Sequence, residues 1–148
     1  MSRKRPILVV EDNDQDFAIL GMCLETASVH NSLERCASAE EFSAYMTHLD
    51  SAPLTEIPVF VFLDLNLPGI HGSDVLRRLK NHPTLVSIPV VVLTTSSQVR
   101  DIDMSYELGA AGFLTKPLSL DKFETMIQHV ADYWFSCVKL PENAKHTH

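Results

Sequence analysis

Five short runs, at residues 7–10, 33–36, 59–63, 90–93 and 112–115, recur along the chain, with stretches of helical periodicity near 15–28, 39–49, 72–81, 98–108 and 119–136. Runs this short are strand length, and their alternation with helices predicts βαβ units and a parallel sheet. The third and fourth, VFVFL and VVVL, carry no polar residue, as strands buried on both faces do. The 148 residues suffice for one hydrophobic core and not two. We therefore expect a single α/β domain over 1–140, a doubly wound five-stranded parallel sheet flanked by five helices, and a polar, disordered tail at 141–148. Cap and turn residues agree with this parsing. Asn13 or Asp14 can cap the first helix, Ser38 with Glu41 has capping-box spacing, Ser119 can cap the last, and Pro83 and Pro89 bracket the approach to the fourth strand. Residues 51–58 read as a loop.

In an open parallel sheet, ligands bind beyond the carboxyl ends of the strands. Glu11 and Asp12 follow the first strand, Asp64 the third, Thr94 and Thr95 the fourth, and Lys116 with Pro117 the fifth. Carboxylates gathered there would repel: two like charges about 4 Å apart cost about 4 kcal/mol at an effective dielectric of about 20. A divalent cation relieves that repulsion. Mg2+ suits the set because it takes one or two carboxylates and keeps its other positions for water and a phosphate oxygen. Lys116 then supplies a point charge for a phosphate and Thr94 a hydroxyl donor, an inventory that fits phosphoryl transfer to Asp64.

Composition narrows the function classes. The formal charge of -7 and a pI near 5.4 argue against a nucleic-acid or membrane surface, and the short basic run at residues 3–5 reads as a solvated terminus. No apolar stretch reaches the roughly 20 residues of a membrane span, and the acidic turn after Val10 does not suit a signal peptide. Cys23, Cys36 and Cys137 fit neither a zinc pattern nor a disulfide framework, and are expected as reduced thiols of a cytoplasmic protein.

Four segments, ILVVEDN, FLDLNLPG, PVVVLTT and GAAGFLTKP, together resemble the receiver domains of two-component response regulators, over about residues 6–136. The resemblance implies a strand order of 2-1-3-4-5 and a phosphoryl group accepted by Asp64 from a sensor histidine kinase. It implies that Asp12, Asp64 and the backbone carbonyl of Asn66 ligate Mg2+ (or Mn2+), with Glu11 acting through a bound water. Thr94 and Lys116 would hold the phosphoryl oxygens, Phe113 would be the switching aromatic, and the Lys116–Pro117 bond would be cis. Phe113 lacks the hydroxyl of the tyrosine that some members carry, and Thr95 stands where a small residue is usual. VEDN, DLNLPG, IPVVVLTTS, SYELGA and DYWFSCVKLP further resemble the small stand-alone regulators that partner cyanobacterial-type phytochrome kinases. Ser96 and Asn66 are expected to tune the lifetime of the phosphoryl group.

With no second domain expected after residue 136, the output would be a surface, formed by the fourth helix, fifth strand and fifth helix. On the last helix, Leu120, Phe123, Ile127, Val130 and Trp134 form a core-facing stripe at helical spacing. Met126, Tyr133 and Cys137 extend it along one flank and Phe135 along the other, more than a sheet needs, which points to a homodimer face of Met126, Tyr133, Trp134 and Phe135 or to an aromatic terminus folding back. Two other readings stay open. A phosphatase of the haloacid dehalogenase type would need a second acid where Asn66 stands, and a pseudo-receiver would keep the fold without the chemistry.

Overall fold

The computed structural model describes residues 4–142. Five parallel strands, β1 (Ile7–Val10), β2 (Leu33–Cys36), β3 (Phe60–Leu63), β4 (Val90–Thr94) and β5 (Gly112–Thr115), form one sheet in the order 2-1-3-4-5. Around it lie α1 (Asp14–Thr26), α2 (Ala39–Leu49), α3 (Gly72–Asn81), α4 (Val99–Glu107) and α5 (Leu120–Asp132). The expected α/β architecture and strand order are both present.

The two-residue period of the strands sorts the core into two layers. Leu8, Val10, Val61, Leu63, Val90 and Val92 point to one face, where Phe42, Met46 and Leu49 of α2 and Val75, Leu76 and Leu79 of α3 cover them. Ile7, Val9, Phe60, Phe62, Val91 and Leu93 point to the other, covered by Leu20, Cys23 and Leu24 of α1 and by Phe123, Ile127, Val130 and Ala131 of α5. Both faces being apolar is why β3 and β4 show no alternation in sequence. Their carboxyl ends emerge together at one edge.

The caps fall where expected. Asn13 Oδ1 accepts from the Asp16 amide (2.9 Å), Ser38 Oγ from Glu41 (3.2 Å) and Ser119 Oγ from Lys122 (3.3 Å). Between β3 and α3 the chain makes a hairpin, Asn66–Leu67 against Ile70–His71, too short to leave a periodic signal. Pro68 followed by Gly69 at φ +86° is the pattern of a type II turn. Gly72 then brings α3 onto the site loop so closely that a Cβ would lie 2.6 Å from the Leu65 Cα. The expected loop at 51–58 contains a short 3-10 turn, Leu54–Glu56.

Several expectations give way. Leu120 is 57% exposed, because it opens α5 beyond the sheet edge and does not join the core stripe. After Asp132 the helix widens into a π turn, Tyr133–Cys137, which changes the angular step between side chains. Trp134 and Phe135 therefore both turn back onto Phe60, with ring centroids 5.4 and 5.3 Å away, and Met126 is half-buried in the same cluster. Of the four residues expected on a dimer face, Tyr133 alone is exposed. The basic run is not a solvated terminus throughout: Arg5 donates to the carbonyls of Ile57, Pro58, Pro141 and Glu142 at 2.8–3.0 Å. The tail expected at 141–148 is thus tied down at its first two residues, and 143–148 lie outside the described residues, as does Arg3. No peptide bond among the described residues is cis, so Lys116–Pro117 is trans, the isomer that X–Pro bonds favour by about 0.5–1 kcal/mol.

Candidate phosphoacceptor site

The sheet edge brings the predicted residues together. Glu11 follows β1 and is 5% exposed; Asp64 follows β3 and is 7% exposed. Side-chain oxygens of Glu11, Asp12 and Asp64 all lie within 4.8 Å of one another, with Asp12 on the solvent side. An all-oxygen, anionic trio, partly open to water, fits Mg2+ or Mn2+, hard cations that keep part of their hydration.

Lys116 reaches into this cluster from the end of β5. Its Nζ donates to Glu11 Oε1 (2.6 Å), Asp64 Oδ2 (2.9 Å) and Asp16 Oδ2 (2.9 Å). Burial works against the ammonium, but these three bonds outweigh it and raise the Lys116 pKa. Burial likewise pushes the Glu11 carboxyl up to about 7; Asp64 adds to that, while Lys116 and the Asn13 amide hold it down. The second oxygen of Asp64, Oδ1, accepts from the Asn66 amide (3.1 Å), so both carboxylate oxygens are oriented.

Thr94 closes β4 and is fully buried. Its carbonyl accepts from the Lys116 amide (2.7 Å) and its Oγ1 lies 3.5 Å from the Ser96 amide. Thr95, next in the chain, is exposed. Ser96 Oγ donates to Asp101 Oδ2 (2.6 Å), and its carbonyl accepts from Thr115 Oγ1 (3.0 Å). These bonds tie the loop after β4 to α4 and β5. Phe113 is half-buried and packs on the same core layer as Met104 and Leu108 from the α4 side.

Two contributors have no counterpart in the expectations from sequence. Asp16, in the first turn of α1, is a third carboxylate on Lys116. Arg35, next to last in β2, donates from Nε to the Glu11 carbonyl (3.0 Å), pairs with Asp14 (2.8 Å) and lies over the Phe17 ring (4.9 Å). It fixes the loop that carries the acid pair.

Residues 7–128 match the family described as the response regulator receiver domain. The chain belongs to that family. This receiver is 35% identical over 135 residues to the response regulator Rcp1 of Synechocystis sp., covering 91% of this chain and 92% of that protein. Its fold is similar to the crystal structure of the phosphorylated cyanobacterial phytochrome response regulator RcpA, with a TM-score of 0.84 at 33% identity over 93% of this chain and 99% of that one. The Mn(2+)-bound form of Rcp1 gives a TM-score of 0.80 at 35% identity, over 93% and 99% of the two chains. Receivers are phosphoacceptors and not enzymes that turn over a separate substrate, and the Glu11, Asp12 and Asp64 cluster fits their divalent-metal site. Among the described residues, no helix is long and apolar enough to cross a membrane.

Proposed function

We propose that residues 1–140 act as a single receiver domain in which Asp64 accepts a phosphoryl group from the phosphohistidine of a sensor histidine kinase. The observation that carries this is the convergence of Glu11, Asp12 and Asp64 with Lys116 at one sheet edge. An Asp64 oxygen forms the new bond to phosphorus as the P–N bond of the donor breaks, and the electron pair leaves with the imidazole, which takes up a proton. Asp12, Asp64 and the Asn66 carbonyl would hold Mg2+ or Mn2+, with Glu11 engaged through water; the cation supplies charge neutralisation for carboxylates and phosphoryl oxygens. The chain's own residues do the rest. Lys116 and Thr94 hold phosphoryl oxygens, and the Asn66 amide keeps the acceptor carboxylate in one orientation. The protein thereby promotes its own phosphorylation and the later hydrolysis, with Asn66 and Ser96 shaping water access.

The added charge of about -1.5 to -2 acts on the loop after β4, where Thr94 and Ser96 connect to α4 and β5. Movement of Thr94 towards the phosphoryl group would let Phe113 repack against α4, shifting the population of the α4-β5-α5 face. Val99 and Tyr106 of α4 and Tyr133 after α5 are exposed and offer apolar surface for self-association. The likeness to Rcp1 and RcpA supports a phytochrome kinase as donor and a cytoplasmic setting. Asn66 stands where an aspartate-based phosphatase would need its acid, and the intact acid, lysine and threonine set speaks against a pseudo-receiver.

Phosphotransfer decides the matter. A phytochrome histidine kinase labelled on its histidine should pass the label to this chain with Mg2+, and light scattering should then find a larger share of dimer. Label that stays on every such kinase would sink the phytochrome assignment, and a monomer in both states would remove the dimer.

A further inference from the structure

The Lys116 ammonium has three N–H donors, and the structure gives each a carboxylate: Glu11, Asp64 and Asp16. Two of those acids, Glu11 and Asp64, also belong to the cluster that fits a divalent cation; Asp16 does not. A bound metal would share their charge, and one Asp64 oxygen would become the bridging oxygen of the acyl phosphate. Asp16 is the acceptor whose charge stays with Lys116 throughout.

Asp16 is also built into position. The Asn13 amide donates to Glu11 Oε2 (3.1 Å), the Asp16 amide donates to Asn13 Oδ1 (2.9 Å), and Lys116 Nζ bridges Asp16 Oδ2 back to Glu11 Oε1. The circuit closes on itself, so the N-terminal turn of α1 sets where the ammonium sits. Asp16 and Lys116 together line a cleft of about 160 Å³ with Pro117 and Phe123.

We propose that Asp16 is a positioning residue for the phosphoacceptor reaction, anchoring the Lys116 ammonium beside Asp64 when a divalent cation and then the phosphoryl group draw on the other two carboxylates. The proposal rests on the phosphoacceptor reading above. Without Asp16 the lysine loses its fixed partner, and the donor N–H no longer waits where the phosphoryl oxygen arrives. A misplacement on the scale of 1 Å can cost up to about a hundredfold in rate.

The test compares the intact chain with D16N, D16E and E40Q, each incubated with acetyl phosphate or phosphoramidate at saturating Mg2+ and followed by intact mass. Glu40 is an exposed acid in the first turn of α2, so E40Q controls for net charge. D16N should take up the phosphoryl group about tenfold more slowly, with its calorimetric Mg2+ affinity within about twofold of the parent. D16E should recover most of the rate, and E40Q should match the parent. A D16N rate equal to the parent's, or a loss shared by E40Q, overturns the role of Asp16. A parent chain that takes up nothing overturns the phosphoacceptor reading and this one with it.

Discussion

Replacing Lys116 with methionine is expected to lower the stability of the metal-free protein by about 3 kcal/mol at neutral pH, the low end for breaking a buried ion pair. The side chains of Lys116, Glu11 and Asp64 are 9%, 7% and 8% exposed, so little water is present to replace the lost partner. Asp16, at 38%, can rehydrate and contributes less. The cost stays at the low end because Glu11, already pushed up to about 7, can take a proton. The same substitution should raise Mg2+ affinity, since the ammonium and the metal compete for the same carboxylates, and should slow phosphoryl uptake about a hundredfold by removing a fixed donor. Urea unfolding in EDTA, Mg2+ calorimetry and intact mass read the three effects. A variant with unchanged stability and uptake would show that Lys116 does not hold the cluster together.

The second large effect lies at the other end of β3. Phe60 is fully buried and meets Phe62 edge to face (5.0 Å between centroids) and Trp134 (5.4 Å) and Phe135 (5.3 Å) at a tilt. Phe60→Ala should cost about 3–5 kcal/mol, as large-to-small changes at well-packed aromatics do. Trp134 is the chain's sole tryptophan, so its fluorescence reports directly on whether the aromatic terminus remains seated. Emission should shift to the red in native buffer as the indole gains water. Unchanged emission with only a small stability loss would mean that Trp134 is held by something other than Phe60.

These two sites also mark what the sequence could and could not reveal. Lys116, Asp64, Glu11 and Asp12 were legible because strand ends are set by apolar runs, and charges at those ends have one place to go. Asp16 was not. An acid in the first turn of a helix is also what the helix dipole favours, so nothing in the spacing separates a lysine anchor from an ordinary cap-region charge. The aromatic terminus folds back, one of its two readings, and the sequence left that choice open for a different reason. Extending α5 at 100° per residue puts Tyr133, Trp134 and Phe135 on separate faces, whereas the π turn at Tyr133–Cys137 alters that step and sends Trp134 and Phe135 to one ring. Leu120 satisfied the helical period but begins its helix beyond the layer it was assigned to. Arg5 looked like a solvated charge because its partners are backbone carbonyls, which leave no mark in sequence.

Every role proposed at this site requires Asp64 as the acceptor. The direct measurement is the intact mass of the protein after incubation with acetyl phosphate or phosphoramidate and Mg2+, beside Asp64→Asn and an EDTA-treated sample. A single phosphoryl adduct that is absent from both controls is the predicted result. An adduct that survives in Asp64→Asn, or no adduct from either donor, would contradict it.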